Sequence, residues 1–377
     1  MKWKIALADL DFDQHELNQA LKILKSKWLT MGEMVEKFEK RFARFLGVKY
    51  CIATASGTGA LHLALKSLGL KPSDEVLVPA ITFVASANAI LYNGARSVFV
   101  DSTSLDDFNI SVEDLKRKIT RRSKAIVVLH YAGYIANIKE IKRIAKKRGL
   151  ILIEDAAHAV GAKLGEKKAG NLGDLGCFSF FSNKNLATGE GGMVATNDKR
   201  LADKIRLCRS HGMSTLTWER HTQKAISYDV LDLGYNYRMT ELGAALGIEQ
   251  LKKLTKNNLK RKRLTDLYVQ NLSRVNGIHI PFQNYPRHSS HHIFPILLDK
   301  RINRKKFIEK LRQKGIQTSI HYPPVHKFTY YKKLLKTSKL NLPIAEQIGA
   351  REVTLPLHPL LSENDVTYVC EQVIRIL

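Results

Sequence analysis

The chain is 377 residues long, with 44% hydrophobic and 25% charged side chains; the length predicts about two domains, each able to bury a core, and the composition excludes wholesale disorder. Its 61 Lys and Arg against 35 Asp and Glu give a net charge of +26, which suits nucleic acid, an acidic membrane surface or an anionic small molecule and does not choose among them. The four cysteines, Cys51, Cys177, Cys208 and Cys370, lie apart with no CxxC pair, which excludes a disulfide framework and a zinc ribbon and points to a reducing compartment.

The first residues, MKWKIALADLDFDQHEL, turn acidic before an apolar stretch of signal-peptide length forms, and no later run approaches a membrane span. A cytoplasmic protein without membrane insertion is expected. From Gly47 to Ile153, short β-branched runs alternate with helical patterns: KYCIATA then GALHLALKSL, EVLVPA then VASANAILY, SVFVD then VEDLKRKI, KAIVVLH then IKEIKRIAKKRG, and finally ILIED. Runs apolar at successive positions predict strands buried on both faces, so this stretch reads as an α/β unit with a largely parallel sheet covered by helices. Ligands of such sheets gather beyond the carboxyl ends of the strands, here near Ser56, Ala80, His130 and Asp155.

CFSFF and GMVAT follow as strands, separated by the glycine-rich loop SNKNLATGEGG. A helix is expected from Thr240 through Asn271, and the domain boundary falls within it: a large domain over 1–255 and a small α+β domain over 256–377. In the second, HHIFPILL and IQTSIHY read as strands, and RKKFIEKLRQKG and ENDVTYVCEQVIRIL as helices. The basic segments KRKIT, KRIAKKRG and LKRKRLTD are dispersed, as solvated helix faces are, and no nucleic-acid motif accompanies them.

SGTGALHLAL, Ser56 to Leu65, places small residues and the Thr58 hydroxyl where a strand gives way to a helix, a geometry that seats an anion on free amides at the positive end of the helix dipole. An ordinary capped helix reads the same way. His62 stands where a dinucleotide fingerprint needs its third glycine, and no GK[ST] is present. Asp155 ends ILIED, so its carboxylate emerges at the same sheet edge, as a site group or as a helix cap. Lys184 sits in the loop after CFSFF, behind Ser179 and ahead of Gly189, Glu190, Gly191 and Gly192. A phosphate cradle, a strand-end aspartate and a loop lysine are together what pyridoxal phosphate requires of a protein: an amine to bond the aldehyde, a carboxylate to hold the ring nitrogen protonated, and a seat for the phosphate. Phe83, in PAITFVAS, is the candidate for an aromatic stacked on the ring, with a core phenylalanine as the alternative.

These segments, with SKWLTMGEMVEKFEKRFARFLGV, VFVDSTSLDDFNI, IEDAAHAVGA, LGYNYRMTELGAALGIEQL, HYPPVH and LPLHP, resemble in order the DegT/DnrJ/StrS family of nucleotide-sugar aminotransferases. The resemblance implies the aspartate-aminotransferase type of fold (PLP fold type I), with Lys184 as the Schiff-base lysine, Asp155 as partner of the ring nitrogen and His158 near the phenolic oxygen. Gly57, Thr58 and Ser179 would hold the phosphate, and Asn236 would reach the phosphate of a neighbouring subunit's cofactor, making the active sites shared in a homodimer. Arg238 would hold an anionic group, while Tyr322 and His326 would line the substrate pocket or pack as a proline-bounded turn.

The activity implied is transfer of an amino group from glutamate or glutamine to a nucleotide-linked keto-deoxy sugar, for surface polysaccharide or glycoconjugate synthesis. Relatives that act as sugar dehydratases carry histidine in place of the lysine, and lysine cofactor sites of other classes usually follow a histidine where Asn183 stands here. A sugar dehydratase on the same scaffold and a non-catalytic basic regulatory protein are the alternatives. His288, His291 and His292 have no carboxylate or cysteine at ligand spacing, so no metal is expected.

Overall fold

The computed structural model describes residues 3–215, 226–283, 285, 289–335 and 340–377. The chain opens with α1 (Gln14–Ser26), where Asp13 and Glu16 close a capping box, and α2 (Glu33–Leu46), which buries Val35, Phe38, Phe42 and Leu46 and stops at Gly47 in the left-handed region. Then come β1 (Tyr50–Thr54), α3 (Gly57–Lys66), β2 (Glu75–Pro79), α4 (Ala85–Tyr92), β3 (Arg96–Val100), α5 (Val112–Lys118), β4 (Ser123–Leu129), α6 (Ile138–Arg148) and β5 (Ile151–Asp155). A two-residue hairpin, β6 (Lys163–Leu164) and β7 (Lys167–Lys168), precedes β8 (Leu175–Ser179), β9 (Gly192–Thr196) and α7 (Lys199–Arg209).

The main sheet runs β1-β9-β8-β5-β4-β2-β3. Pairings among β3, β2, β4, β5 and β8 are parallel, and β9 alone runs against both its neighbours, β8 and β1. The sheet is therefore mostly parallel but mixed, because the loop bearing Lys184 returns the chain directly as a neighbour of β8. Alternation along the strands feeds two cores. Ile52, Val76, Val78 and Val127 face α3, α4 and α7, whereas Cys51, Ala53, Leu77 and Ile126 face α2, α5 and α6. Burial on both faces is why these segments read as continuous apolar runs.

The helix α8 (Glu241–Leu272) is 32 residues long and is capped by Thr240, whose hydroxyl accepts from the Gly243 amide at 3.1 Å. Ala244, Ile248 and Leu254 of α8 lie in the core beneath the main sheet, while Leu264, Tyr268 and Leu272 lie in a separate cluster. The latter is completed by β10 (Ile278–His279), β11 (Phe294–Leu298), α9 (Arg304–Gln313), β12 (Glu352–Leu355) and α12 (Glu363–Ile376), with the antiparallel sheet β10-β11-β12 at its centre, whereas α10 (Thr329–Leu335) and α11 (Pro343–Arg351) pack through Tyr331, Ala345 and Ile348 into the core shared with α3 and α4. Ile5 joins this second cluster as well.

IQTSIHY, expected as a strand, is not one. It is held by single bridges, Ile316 to Ile5 and Ser319 to Thr354. The chain leaves the small sheet at this point because His321 and Tyr322 are carried out to the main sheet's edge: the Tyr131 hydroxyl donates to the His321 carbonyl, and Tyr322 Oη lies 2.8 Å from His158 Nε2. Among the described residues no helix is long and apolar enough to cross a membrane.

Candidate active site

At the carboxyl edge of the sheet, a cavity of about 330 Å³ is lined by Gly57, Thr58, Phe83, Asp155, His158, Ser179, Lys184 and Tyr322, together with Phe181, Glu190 and His321. Eight of the sequence-derived candidates thus converge on one space.

The start of α3 forms one wall. Ser56 caps it, its hydroxyl accepting from the Gly59 amide at 3.1 Å, while the amides of Gly57 and Thr58, in the first turn, have no helical carbonyl to bond. A Cβ on Gly57 would fall 2.6 Å from Cβ of Ser179. Only glycine lets the helix start close onto the end of β8, and that closeness brings the Ser179 and Thr58 hydroxyls to the same anion seat.

Asp155 forms the floor. Its Oδ2 accepts from the Ser86 hydroxyl at 2.6 Å, its Oδ1 from the Ala157 amide at 3.2 Å, and Ser86 Oγ is itself 2.9 Å from Thr82 Oγ1. Burial raises the carboxyl pKa above its ordinary value, against the opposing pull of these hydrogen bonds and of the Lys184 charge.

Lys184 enters from the loop between β8 and β9, its amide bonded to the Phe181 carbonyl at 2.8 Å. Burial brings its amine down from 10.5 to about 8, with Asp155 acting in the other direction. Near neutrality about a tenth of such an amine is the free base that nucleophilic attack on an aldehyde demands, far more than for an ordinary lysine. Its Nζ is 3.4 Å from Nε2 of His292, whose Nδ1 is 2.9 Å from Asn185 Oδ1.

His158 lies beside the amine, its pKa driven well below the ordinary value by burial and by the Lys184 charge. Phe83 and Tyr322 face one another at the cavity wall with ring centroids 5.9 Å apart, and Phe83 is 55% exposed. His321 is fixed by its amide to Glu352 Oε2 at 2.7 Å and by Nδ1 to Thr354 Oγ1 at 2.8 Å, and burial lowers its pKa to about 3.

Three candidates lie outside this cavity. Asn236 is exposed and bridges to Ser210. Arg238 is half-buried, its pKa lowered by burial and by Arg209. His326 is turned away because the short turn Val325–Lys327 directs its ring to Glu346, at 3.3 Å, and to the ring of Phe99. Of the histidines in HSSHHIF, His288 lies outside the described residues, His291 packs against Tyr134, and His292 is in the site. Ser86, Asn185, His292 and His321 are site residues that motif reading misses. Only the strand-end position of the HYPPVH segment carried a signal for His321; nothing local distinguishes the others.

The arrangement fits pyridoxal phosphate. It offers an amine of lowered pKa, a buried carboxylate across the cavity, an anion seat at a helix start, and a buried His158 Nδ1 that has no partner among the described residues. That orphaned nitrogen marks a place where a bound group supplies the missing hydrogen bond.

Residues 11–374 match the DegT/DnrJ/EryC1/StrS aminotransferase family. The chain is 38% identical to a GDP-perosamine synthase of Escherichia coli O157:H7 over 93% of its own length and 92% of that protein's. Among solved structures it is similar to Helicobacter pylori PseC, an aminotransferase involved in the biosynthesis of pseudoaminic acid, with a TM-score of 0.93 and 31% identity over 100% of this chain and 99% of that one. A Streptococcus pneumoniae sugar aminotransferase solved in a PLP form shares the fold at a TM-score of 0.91 and 27% identity, covering 99% of this chain and 98% of that one. The chain belongs to the DegT/DnrJ/EryC1/StrS aminotransferase family.

Proposed function

We propose, with that membership as the premise, that this chain is a pyridoxal-phosphate-dependent aminotransferase that moves an amino group from glutamate or glutamine to the keto carbon of a nucleotide-linked keto-deoxy sugar. The observation that carries the reading is the placing of the Lys184 amine, with its pKa near 8, in one cavity with Asp155 and the start of α3. The product would serve surface polysaccharide or glycoconjugate synthesis.

Lys184 would hold the cofactor covalently, Asp155 would pair with its ring nitrogen, Gly57, Thr58 and Ser179 would take its phosphate, His158 would meet its phenolic oxygen, and Phe83 would cover its ring. When bound, the cofactor supplies an electron sink and carries the amino group between the two substrates. Lys184 Nζ would take the proton from the donor's α-carbon and deliver it to the bound group, which would keep the donor's amino group while water supplies the oxygen of the departing keto acid. In the second half the sugar's keto oxygen would leave as water in exchange for the amino group, and the same amine would move a proton from the bound group to the sugar carbon. Phe83, Phe181 and Tyr322 keep bulk water from the amine, which maintains its low pKa.

The active site is completed in a homodimer, with Asn236 of one chain reaching the other's phosphate seat and Arg238 holding an anionic group. Supporting this, Phe83 and Phe181 at the cavity, and Tyr228, Val230, Leu231 and Leu233 in the segment leading to Asn236, are large apolar side chains left exposed in a single chain. The dispersed positive charge draws the sugar's diphosphate toward the cavity mouth.

The test is spectroscopic and analytical. Wild type incubated with pyridoxal phosphate is expected to gain a visible absorption band that glutamate or glutamine bleaches, and Lys184→Ala to gain none. Nucleotide-linked 4-keto and 3-keto sugars, supplied one at a time with donor, should yield one amino sugar by mass spectrometry. A wild type that stays colourless in excess cofactor refutes the reading.

A further inference from the structure

The contact between Lys184 and His292 has a direction. Asn185 Nδ2 donates to the Ser290 carbonyl at 2.7 Å and to Asn258 Oδ1 at 2.8 Å, which turns its own Oδ1 to His292 Nδ1 at 2.9 Å. An amide oxygen only accepts, so Nδ1 carries the proton and Nε2 presents a lone pair to Lys184 Nζ, 3.4 Å away. Arg261, also buried, donates from Nη1 to the carbonyls of His292 and Leu357, at 3.2 and 2.7 Å, and so clamps the backbone that carries the ring. Burial and the neighbouring His158, Lys184, Arg261 and His321 hold the imidazole well below its ordinary pKa, which favours this neutral form.

We propose that His292, its tautomer set by Asn185, is a positioning residue for Lys184: Nε2 accepts one N–H of the amine and thereby aims the amine's lone pair at the reacting carbon. The inference rests on the reading of Lys184 as the cofactor lysine. A lysine side chain has four rotatable bonds, and an amine free to swing among them reaches the productive geometry only part of the time. One directional acceptor opposite the cavity removes that freedom without adding charge.

The titratable groups facing Lys184 are Asp155 at the end of β5, His158 on the turn after it, Cys177 on β8, Glu190 before β9, Tyr322 and His321 from the segment preceding α10, and His292 before β11. Among these, Asp155 and the His292 lone pair favour the ammonium form, because each takes a stronger hydrogen bond or a stronger attraction from N–H⁺ than from N–H. Removing the lone pair therefore moves the amine's pKa down.

The experiment follows capture of pyridoxal phosphate by cofactor-free protein, read as growth of the visible band across a pH series, in wild type, His292→Phe and His292→Gln. Capture needs the free base, so the wild-type rate should rise through a midpoint near about 8. His292→Phe is expected to move that midpoint down by about one unit and to lower kcat about tenfold with both KM values nearly unchanged. His292→Gln, whose side-chain oxygen can stand where Nε2 stands, should restore most of both. Equal midpoints in wild type and His292→Phe, or equal displacement in the Phe and Gln variants, overturn the proposal. If His292→Phe does not fold, Asn185→Ala, which unlocks the ring, carries the same decision: the midpoint must fall, and an unmoved one refutes the role. A wild type that develops no band at any pH refutes instead the reading of Lys184 on which this rests.

Discussion

Ser86 on α4 donates to Asp155 at the end of β5 across 2.6 Å, joining two fully enclosed side chains that stand 69 residues apart in the chain. The bond opposes the rise in carboxyl pKa that burial causes, together with the Ala157 amide and the Lys184 charge.

Ser86→Ala removes that donor and leaves Asp155 Oδ2 unsatisfied. The carboxyl pKa should rise further, and cofactor affinity should fall about tenfold, the equivalent of about 1.4 kcal/mol. Titration of cofactor-free protein with pyridoxal phosphate measures it; an unchanged affinity would mean that the Ala157 amide suffices.

Gly57→Ala inserts a methyl group 2.6 Å from Cβ of Ser179. The start of α3 must withdraw from β8, which should cost roughly 1–3 kcal/mol of stability and loosen the anion seat. Inorganic phosphate should then protect the variant against heat less than it protects wild type, a comparison that thermal melts with and without phosphate make directly.

Glu352, at the start of β12, is buried and its carboxyl is pushed up from 4.5 to about 8. Below 4.5 both folded and unfolded chains carry the proton and its contribution to stability is complete; between 4.5 and 8 the folded chain alone keeps it, so stability falls as pH rises. Wild type should lose roughly 5 kcal/mol across that window from this group. Glu352→Gln, which imitates the protonated acid toward the His321 amide and Thr354, should flatten the loss. Parallel pH dependence of the two melting temperatures would sink the assignment.

Cofactor binding to the folded chain alone should raise the melting temperature, by an amount equivalent to about 2.7 kcal/mol when pyridoxal phosphate stands at a hundred times its Kd. Lys184→Ala retains the anion seat and Asp155 and should show a smaller rise at the same concentration. Differential scanning calorimetry separates the covalent contribution from the rest.

The parts of the fold legible in the sequence were those with a local cause. Apolar runs such as KAIVVLH, buried on both faces, mark strands, and Thr240 marks the start of α8 within one residue. That Asp155 and Lys184 would meet at the sheet's carboxyl edge was legible because one ends a buried strand and the other lies in the loop that follows a buried strand. Ser86, Asn185 and His292 were not, because their meaning lies in partners brought together from distant segments: a serine inside an alanine-rich helix carries no sign that an aspartate waits across 2.6 Å. IQTSIHY misled because its β-branched composition satisfies extended backbone without revealing whether a ladder partner exists. His326 misled by proximity, since the turn that carries it directs its ring to Glu346 while Tyr322 meets His158.

One uninterrupted helix, α8, is cored into both clusters, with Ile248 and Leu254 in the first and Leu264, Tyr268 and Leu272 in the second. Neither cluster can melt without stripping half of a helix that the other needs, so heating should give a single cooperative transition, and a chain cut near Leu254 should leave two fragments that do not fold apart.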